Sequence, residues 1–571
     1  MTFDTYNFMF HLPRRLFSSN WLERQQSTIL SAAAVITIAN IASAISGLLR
    51  QRLLIDVFFS TQKSDFAAYT VASAIPDAIF QLIILGALSA SFIPIFSQYQ
   101  KRSDEEAFQM TSAMMNVLLL IFIIFSVVVF IFATPITRAI TGKGFTAEQI
   151  QVSANLTRIM LGAQFFFAIS NFFTGILQTY RRFVIPAIAP LVYNLGILLG
   201  VYLFAGRFGI YSTGIGVVMG AFFHMLIQLP LVYKMGFRYR LNFNFRHPGI
   251  KTMFKLTPPR VITLGISQFQ DIADNFFATS IVVGQFAQLS VVVISLAQQV
   301  MTLPIRFFGA PIAQAALPFL VAEAEKSDLS NFRDLLLKSI NQVSFFVFPA
   351  SILILILRIP VIRIIYGTDN FPWQTTVLTA RIVGIIAISI AAQSIVQVLI
   401  RAFYALKNTR TPFFITCVTV SLYVSLNWFF IFVLQLGVTG MAISITLAAF
   451  TEMFLFMFFL NRKVKGMLSK AFWVPQLKMV VASFLMAVFL YLPFRILDEL
   501  VFNTSRSVEL ILLTISTSTI GMLVYIYFAM LFDVSELYII KSAVQKFGDW
   551  SKTLSRSQEV ILDSPMGNEE V

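Results

Sequence analysis

Cysteine is nearly missing from this chain: Cys417 is the single one in 571 residues. One thiol excludes an internal disulfide framework and any cysteine-built metal site. Histidine is scarce as well, and His11, His224 and His247 stand too far apart in sequence to suggest a metal cluster. No phosphate-cradling loop is found: "TGKG" at 141–144 lacks the upstream glycine of a GxxxxGK motif. Charge is sparse too, at 12% of residues, and no ATPase-like domain interrupts the apolar segments. The chain carries no nucleotide engine of its own, and no motif in it supports enzymatic catalysis.

What remains is strongly apolar. Hydrophobic residues make up 57% of the chain and phenylalanine alone contributes 61. Mean hydropathy is +0.79. No soluble core absorbs that much apolar surface, so lipid must be the solvent. Runs of the roughly 20 residues needed to cross about 30 Å of hydrocarbon recur along the sequence. They lie near 28–58, 65–98, 107–134, 150–178, 184–205, 209–233, 258–283, 286–322, 336–365, 375–405, 411–435, 438–461, 474–497 and 508–532. The expectation is an all-α polytopic membrane protein with about fourteen spans.

Basic residues crowd into alternate connections. The sixth carries Lys234, Arg238, Arg240, Arg246, Lys251, Lys255 and Arg260, and the twelfth Arg462, Lys463, Lys465, Lys470 and Lys478. By the positive-inside rule both termini are expected in the cytoplasm. The net charge of +15 is then mostly a topology signal, with some attraction to anionic membrane lipids. Nucleic-acid binding is disfavoured, because the basic residues sit in scattered short loops. The first 27 residues read as an interfacial segment, with Phe and Trp against lipid and Arg14 and Arg15 near head groups. The polar tail, 533–571, is expected to be disordered and cytoplasmic.

An internal repeat organises the rest. Pro94 and Pro318 are separated by 224 residues, and so are Tyr180 and Tyr404; Arg158 and Arg381 lie 223 apart. The spacing suggests a duplicated six-helix unit: an N-lobe at 28–234, a basic linker at 235–257 and a C-lobe at 258–462. The helices at 474–532 fall outside the repeat. Six spans per unit is an even number, so the copies run parallel about an axis along the membrane normal. Two such lobes around a central cavity suit alternating access.

Against this background, charges at membrane depth stand out, since each costs at least about 2.5 kcal/mol. They include Arg50, Arg52, Asp56, Asp77, Arg158, Asp271, Asp274, Arg306, Arg381 and Glu452. Snorkelling or local ion pairing accounts for many such residues. Arg50 differs in following Gly47 on a face of small residues, Ala39, Ser43 and Ser46, of the kind that packs on protein or lines a cavity. Its planar fork of donors matches phosphate oxygens.

"RAFYALKNTRTP" at 401–412 closely resembles a signature of the MurJ/MviN lipid II flippase family, and "GLLRQRLLIDVFF", "DFAAYTVASAIPD" and "GALSASFIPIFSQY" resemble its first two helices. The resemblance spans the first twelve apolar segments. It implies two six-helix lobes plus two C-terminal helices, and transport of undecaprenyl-pyrophosphate-linked peptidoglycan precursor across the bacterial inner membrane. It also implies a substrate-binding role for Arg50, which matches an important first-helix arginine, and for Asp65, which begins the second helix.

Several positions depart from the family. Phe80 and Gln81 stand where it has arginine, Ala44 replaces another arginine, and Gln298, Gln299 and Thr302 replace an Asp-Arg…Glu arrangement. Arg306, seven residues or about two turns beyond Gln299, is the candidate replacement cation on a similar helix face. Arg52, Gln298 and Gln299 complete the expected substrate site. Asp271 and Asp274, three residues apart on one helix face, are expected with Asn427 to offer oxygens to a sodium coupling ion. No other cofactor is expected. Partners beyond lipid II and membrane lipids include the cell-wall synthesis machinery. A flippase for another polyprenyl-linked saccharide, a drug/cation antiporter and a non-transporting cell-wall scaffold stay open as alternatives.

Overall fold

The computed structural model describes residues 29–245, 247–282, 289–326, 328–502 and 506–538. The interfacial segment at 1–27 and the tail from 539 lie outside the described residues. Every regular element among the described residues is helical. By length and composition, eleven helices suffice to cross a membrane, and a twelfth is formed if the bent pair Trp373–Ala387 and Ile390–Ala405 counts as one span. The two other expected spans are present as the helices α1 (Ile29–Phe58) and α7 (Pro248–Thr279), which stand outside that count. In α7 the residues Lys251, Lys255, Gln268, Asp271 and Asp274 dilute the apolar run.

Packing divides the chain into two compact units. One runs to Val292 and takes in Ile365–Pro372; the other holds Val293–Ile364 and the chain from Trp373 onward. Between α1 and α7 the first unit contains α2 (Lys63–Gln100), α3 (Asp104–Ile131), α4 (Ala147–Thr179), α5 (Val184–Phe208) and α6 (Tyr211–Lys234). Within the first unit α7 packs on α2. They approach so closely at Gly86 that a Cβ there would lie 2.8 Å from Val261.

Local signals explain where these helices begin. Ser103 caps α3 by accepting from the Glu106 amide at 3.0 Å, and Asp104, Glu105 and Glu106 oppose the helix dipole in its first turn. Thr146 and Gln149 form a reciprocal capping box at the start of α4. α7 starts at Pro248, ahead of the apolar run that begins near 258, because His247 caps it: its Nδ1 accepts from the Gly249 amide at 3.1 Å. The preceding chain is fastened to α3, where Asn116 donates to the carbonyls of Arg240 and Asn242.

Small residues set the tightest crossing. Gly196 and Gly200 of α5 face Gly220 and Gly216 of α6, and a Cβ on Gly200 would lie 2.4 Å from the Gly216 Cα. Backbones meet this closely only where side chains are missing. Below, Phe92, Phe96, Phe108, Phe172 and Ile176 form the main apolar core of the unit.

The second unit comprises α8 (Ser290–Ala324), α9 (Ser330–Ile356), the bent pair, α11 (Arg410–Val433), α12 (Gly437–Lys463), α13 (Lys470–Val501) and α14 (Ser507–Leu531), the pair being α10. The first three residues of α8 group with the first unit. α13 and α14 pack on α9 through Phe345, Met479, Met486 and Tyr525, whose hydroxyl donates to the Phe345 carbonyl at 3.0 Å. Their outer faces, including Phe484, Leu492, Leu523 and Leu531, are exposed and apolar, as lipid contact requires.

The repeat spacing reappears in the backbone. α2 carries a π-helical turn at Gln81–Leu85, and α8 carries one at Ile305–Gly309, again 224 residues on. Left-handed residues recur as well: Arg181 and Gly209 answer to Lys407 and Gln435, each 226 residues later.

A polar cavity in the first unit

α1 brings Ser43, Ser46, Gly47 and Arg50 onto one face, since these positions are three or four residues apart. That face meets Asn194, a buried polar residue in the otherwise apolar α5. Asn194 donates to the Ser46 hydroxyl at 2.8 Å and to the Ser43 carbonyl at 3.3 Å, while its Oδ1 accepts from Arg50 Nη1 at 3.1 Å. The amide thus holds one edge of the guanidinium. The buried Arg50 Nε has no partner among the described residues.

Arg50 opens into a cavity of about 570 Å³ lined wholly by the first unit. α2 contributes Ser73, Asp77, Phe80 and Gln81, the last at the start of its π-turn. α4 contributes a stripe at helical spacing: Met160, Gln164, Phe167, Asn171 and Thr174. Tyr69, Tyr193 and His224 add polar rings. Gln164 donates to Asp77 Oδ1 at 2.6 Å. At the α4–α6 contact, Ser170 lies 2.7 Å from His224 Nδ1 and accepts from the fully buried Gln228 at 2.6 Å. Thr174 donates to Gln228 Oε1 at 2.9 Å. Such a wall resists rearrangement, because breaking one bond strands several buried partners.

The remaining expected residues are dispersed. Asp65 lies in the first turn of α2, one turn before Tyr69, and does not line the cavity; nor does the half-buried Arg52. Gln298, Gln299 and Arg306 belong to the second unit. Gln298 and Gln299 are half-buried on α8, and Arg306 is exposed within its π-turn. Asp271 is exposed and Asp274 half-buried on α7 in the first unit, while Asn427 is fully buried in the second, donating to the Tyr423 carbonyl at 3.1 Å. Among the described residues, no group of three or more His, Cys, Asp and Glu side chains is placed to hold a metal ion. Arg158 is bonded locally, donating to the Phe130 carbonyl at 3.0 Å and to Asn155 at 2.8 Å.

Gln164, Tyr193, Asn194 and His224 escaped the sequence reading. Their only trace is a polar residue in an apolar helix, a pattern that helix–helix hydrogen bonding also produces.

A many-spanning helical fold with a charged internal cavity suits a membrane transporter. The family model described as lipid II flippase MurJ matches residues 56–511, and the chain belongs to that family. The probable lipid II flippase MurJ of Bdellovibrio bacteriovorus is 26% identical over 515 residues, covering 89% of this chain and 95% of its own. That of Thermotoga maritima is 26% identical over 503 residues, covering 87% and 95%. A lipid II flippase MurJ structure in an inward closed conformation shares the fold, with a TM-score of 0.71 at 23% identity over 87% of this chain and 98% of the other. A MATE family multidrug transporter in an inward-facing conformation follows at 0.60 and 15% identity, covering 76% and 95%.

Proposed function

We propose that this protein flips lipid II, the polyprenyl-pyrophosphate-linked peptidoglycan precursor, from the inner to the outer leaflet of the bacterial inner membrane by alternating access. Family membership supports this reading, and one observation carries its chemistry. Arg50 presents guanidinium donors to a polar cavity at membrane depth and is held by a neutral amide, so its charge is not spent on a fixed carboxylate. A pyrophosphate is the ligand that such a fork suits best. The prenyl tail stays in lipid while the head group crosses.

Arg306, Asp65, Arg52, Gln298 and Gln299, none of which lines this cavity, are proposed as further contacts of the head group on its path. A sodium ion near Asp271 and Asp274 of α7 is the proposed coupling ion. Both termini are assigned to the cytoplasm by the distribution of basic residues, and the cell-wall synthesis machinery is the proposed protein partner.

The test is rescue of cells depleted of their own lipid II flippase. The wild-type chain is expected to restore growth, and Arg50→Ala is expected not to. Rescue by Arg50→Ala at normal expression overturns the cargo-handling role of Arg50. Survival with Arg306→Ala removes Arg306 alone.

A further inference from the structure

The cavity that holds Arg50 also holds a carboxylate, which a site for pyrophosphate alone does not need and would be weakened by. Asp77 lines the same 570 Å³ space. No ion pair within 4.0 Å joins it to Arg50 among the described residues. Opposite charges in a low-dielectric interior attract strongly, so their separation is built in. Asn194 tethers the arginine and Gln164 tethers the aspartate, each from a different helix.

Asp77 has acceptor capacity left over. Gln164 and the Ser73 hydroxyl supply its side-chain donors, whereas an ionised carboxylate accepts about four hydrogen bonds. Aromatic rings share its cavity: Tyr69, Phe80, Phe167 and Tyr193. A carboxylate with acceptor sites to spare, beside aromatic rings, is the chemistry that recognises an ammonium group.

Resting on the flippase reading, we propose that Asp77 is a specificity residue that selects a head group carrying a primary ammonium, while Arg50 takes an acidic group of the same molecule. The cavity is thus read as a two-ended site for a zwitterionic head group. A diamino acid in the peptide stem of the precursor supplies the amine.

The test uses the full-length protein in lipid vesicles and two lipid II probes that differ only in the stem-peptide lysine, one with a free ε-amine and one N-acetylated. At subsaturating concentration the wild type is expected to move the free-amine lipid faster by on the order of tenfold, the scale of one charge-assisted hydrogen bond. In Asp77→Asn, which keeps the shape and the Gln164 contact, the ratio between the two lipids is expected to fall to near one. Asp77→Glu is expected to restore part of it. Equal rates for both lipids in the wild type overturn the proposal and leave the flippase reading standing. So does an Asp77→Asn defect that slows both lipids by the same factor, as a structural or ion-coupling role would. If neither lipid moves, the flippase reading falls and this one with it.

Discussion

Arg50 depends on Asn194 for its aim. An arginine has five donors and many rotamers, and the Asn194 amide fixes one edge while anchoring itself to Ser43 and Ser46. Asn194→Leu is expected to lower transport by about tenfold, because it removes the amide oxygen that accepts from Arg50 and sets its aim. Arg50→Lys is expected to recover little, since a point charge lacks the paired donors of the fork. Vesicle flipping assays on both variants check this, with expression level as the control for folding. Arg50 was legible in the sequence because a charge inside an apolar run is conspicuous. Its partners were not: Asn194 lies 144 residues away, and only tertiary packing brings it within reach. Asp77 was legible as a charge at depth, but not as a neighbour of Arg50, for the same reason.

At the level of helices, caps and crossings make separate predictions. The His247 cap works only while Nδ1 is unprotonated, and partial burial lowers the pKa of this histidine below its ordinary value near 6.5. A depressed histidine pKa means that the unfolded end binds protons more readily. The cap's stability is therefore present at neutral pH and is lost as pH falls below about 6.5. Hydrogen exchange at the first turn of α7 is expected to quicken between pH 7.5 and pH 5, and His247→Ala is expected to be fast at both. The α5–α6 crossing should tolerate no side chain: Gly200→Leu is expected to cost about 3 kcal/mol or more, read as a lower melting temperature in detergent. Helix positions were largely legible, because apolar runs of membrane length leave few alternatives. The π-turns were not, since one extra residue per turn leaves no mark in composition. The early start of α7 was missed because hydropathy reports lipid contact, whereas the cap and Pro248 decide where the helix begins.

For the whole molecule, the basic connections make the prediction. With Cys417 replaced by Ser, single cysteines placed at Lys465 and at Arg240 are expected to react with an impermeant reagent only from the cytoplasmic side. A cysteine at Arg207 is expected to react only from outside. Opposite labelling would invert the orientation. The repeat was legible in the spacing of prolines and tyrosines, and the backbone carries it further than the side chains do, through π-turns and left-handed residues at nearly the same offsets. The division at Val292–Val293 falls inside α8, where helix-to-helix packing alone draws the line.

The four glycines between α5 and α6 have a mechanical consequence. With backbone pressed on backbone at these positions and Tyr193, Met219 and Phe223 wedged beside them, the two helices are locked and swing as a single plank. α2 supplies places to bend: the helix breaks at Ser73 and loosens again at Gln81–Leu85. Asp77 rides on the short segment between those two soft points, so any flexing of that segment would carry the carboxylate toward or away from the arginine, like a jaw closing on its catch.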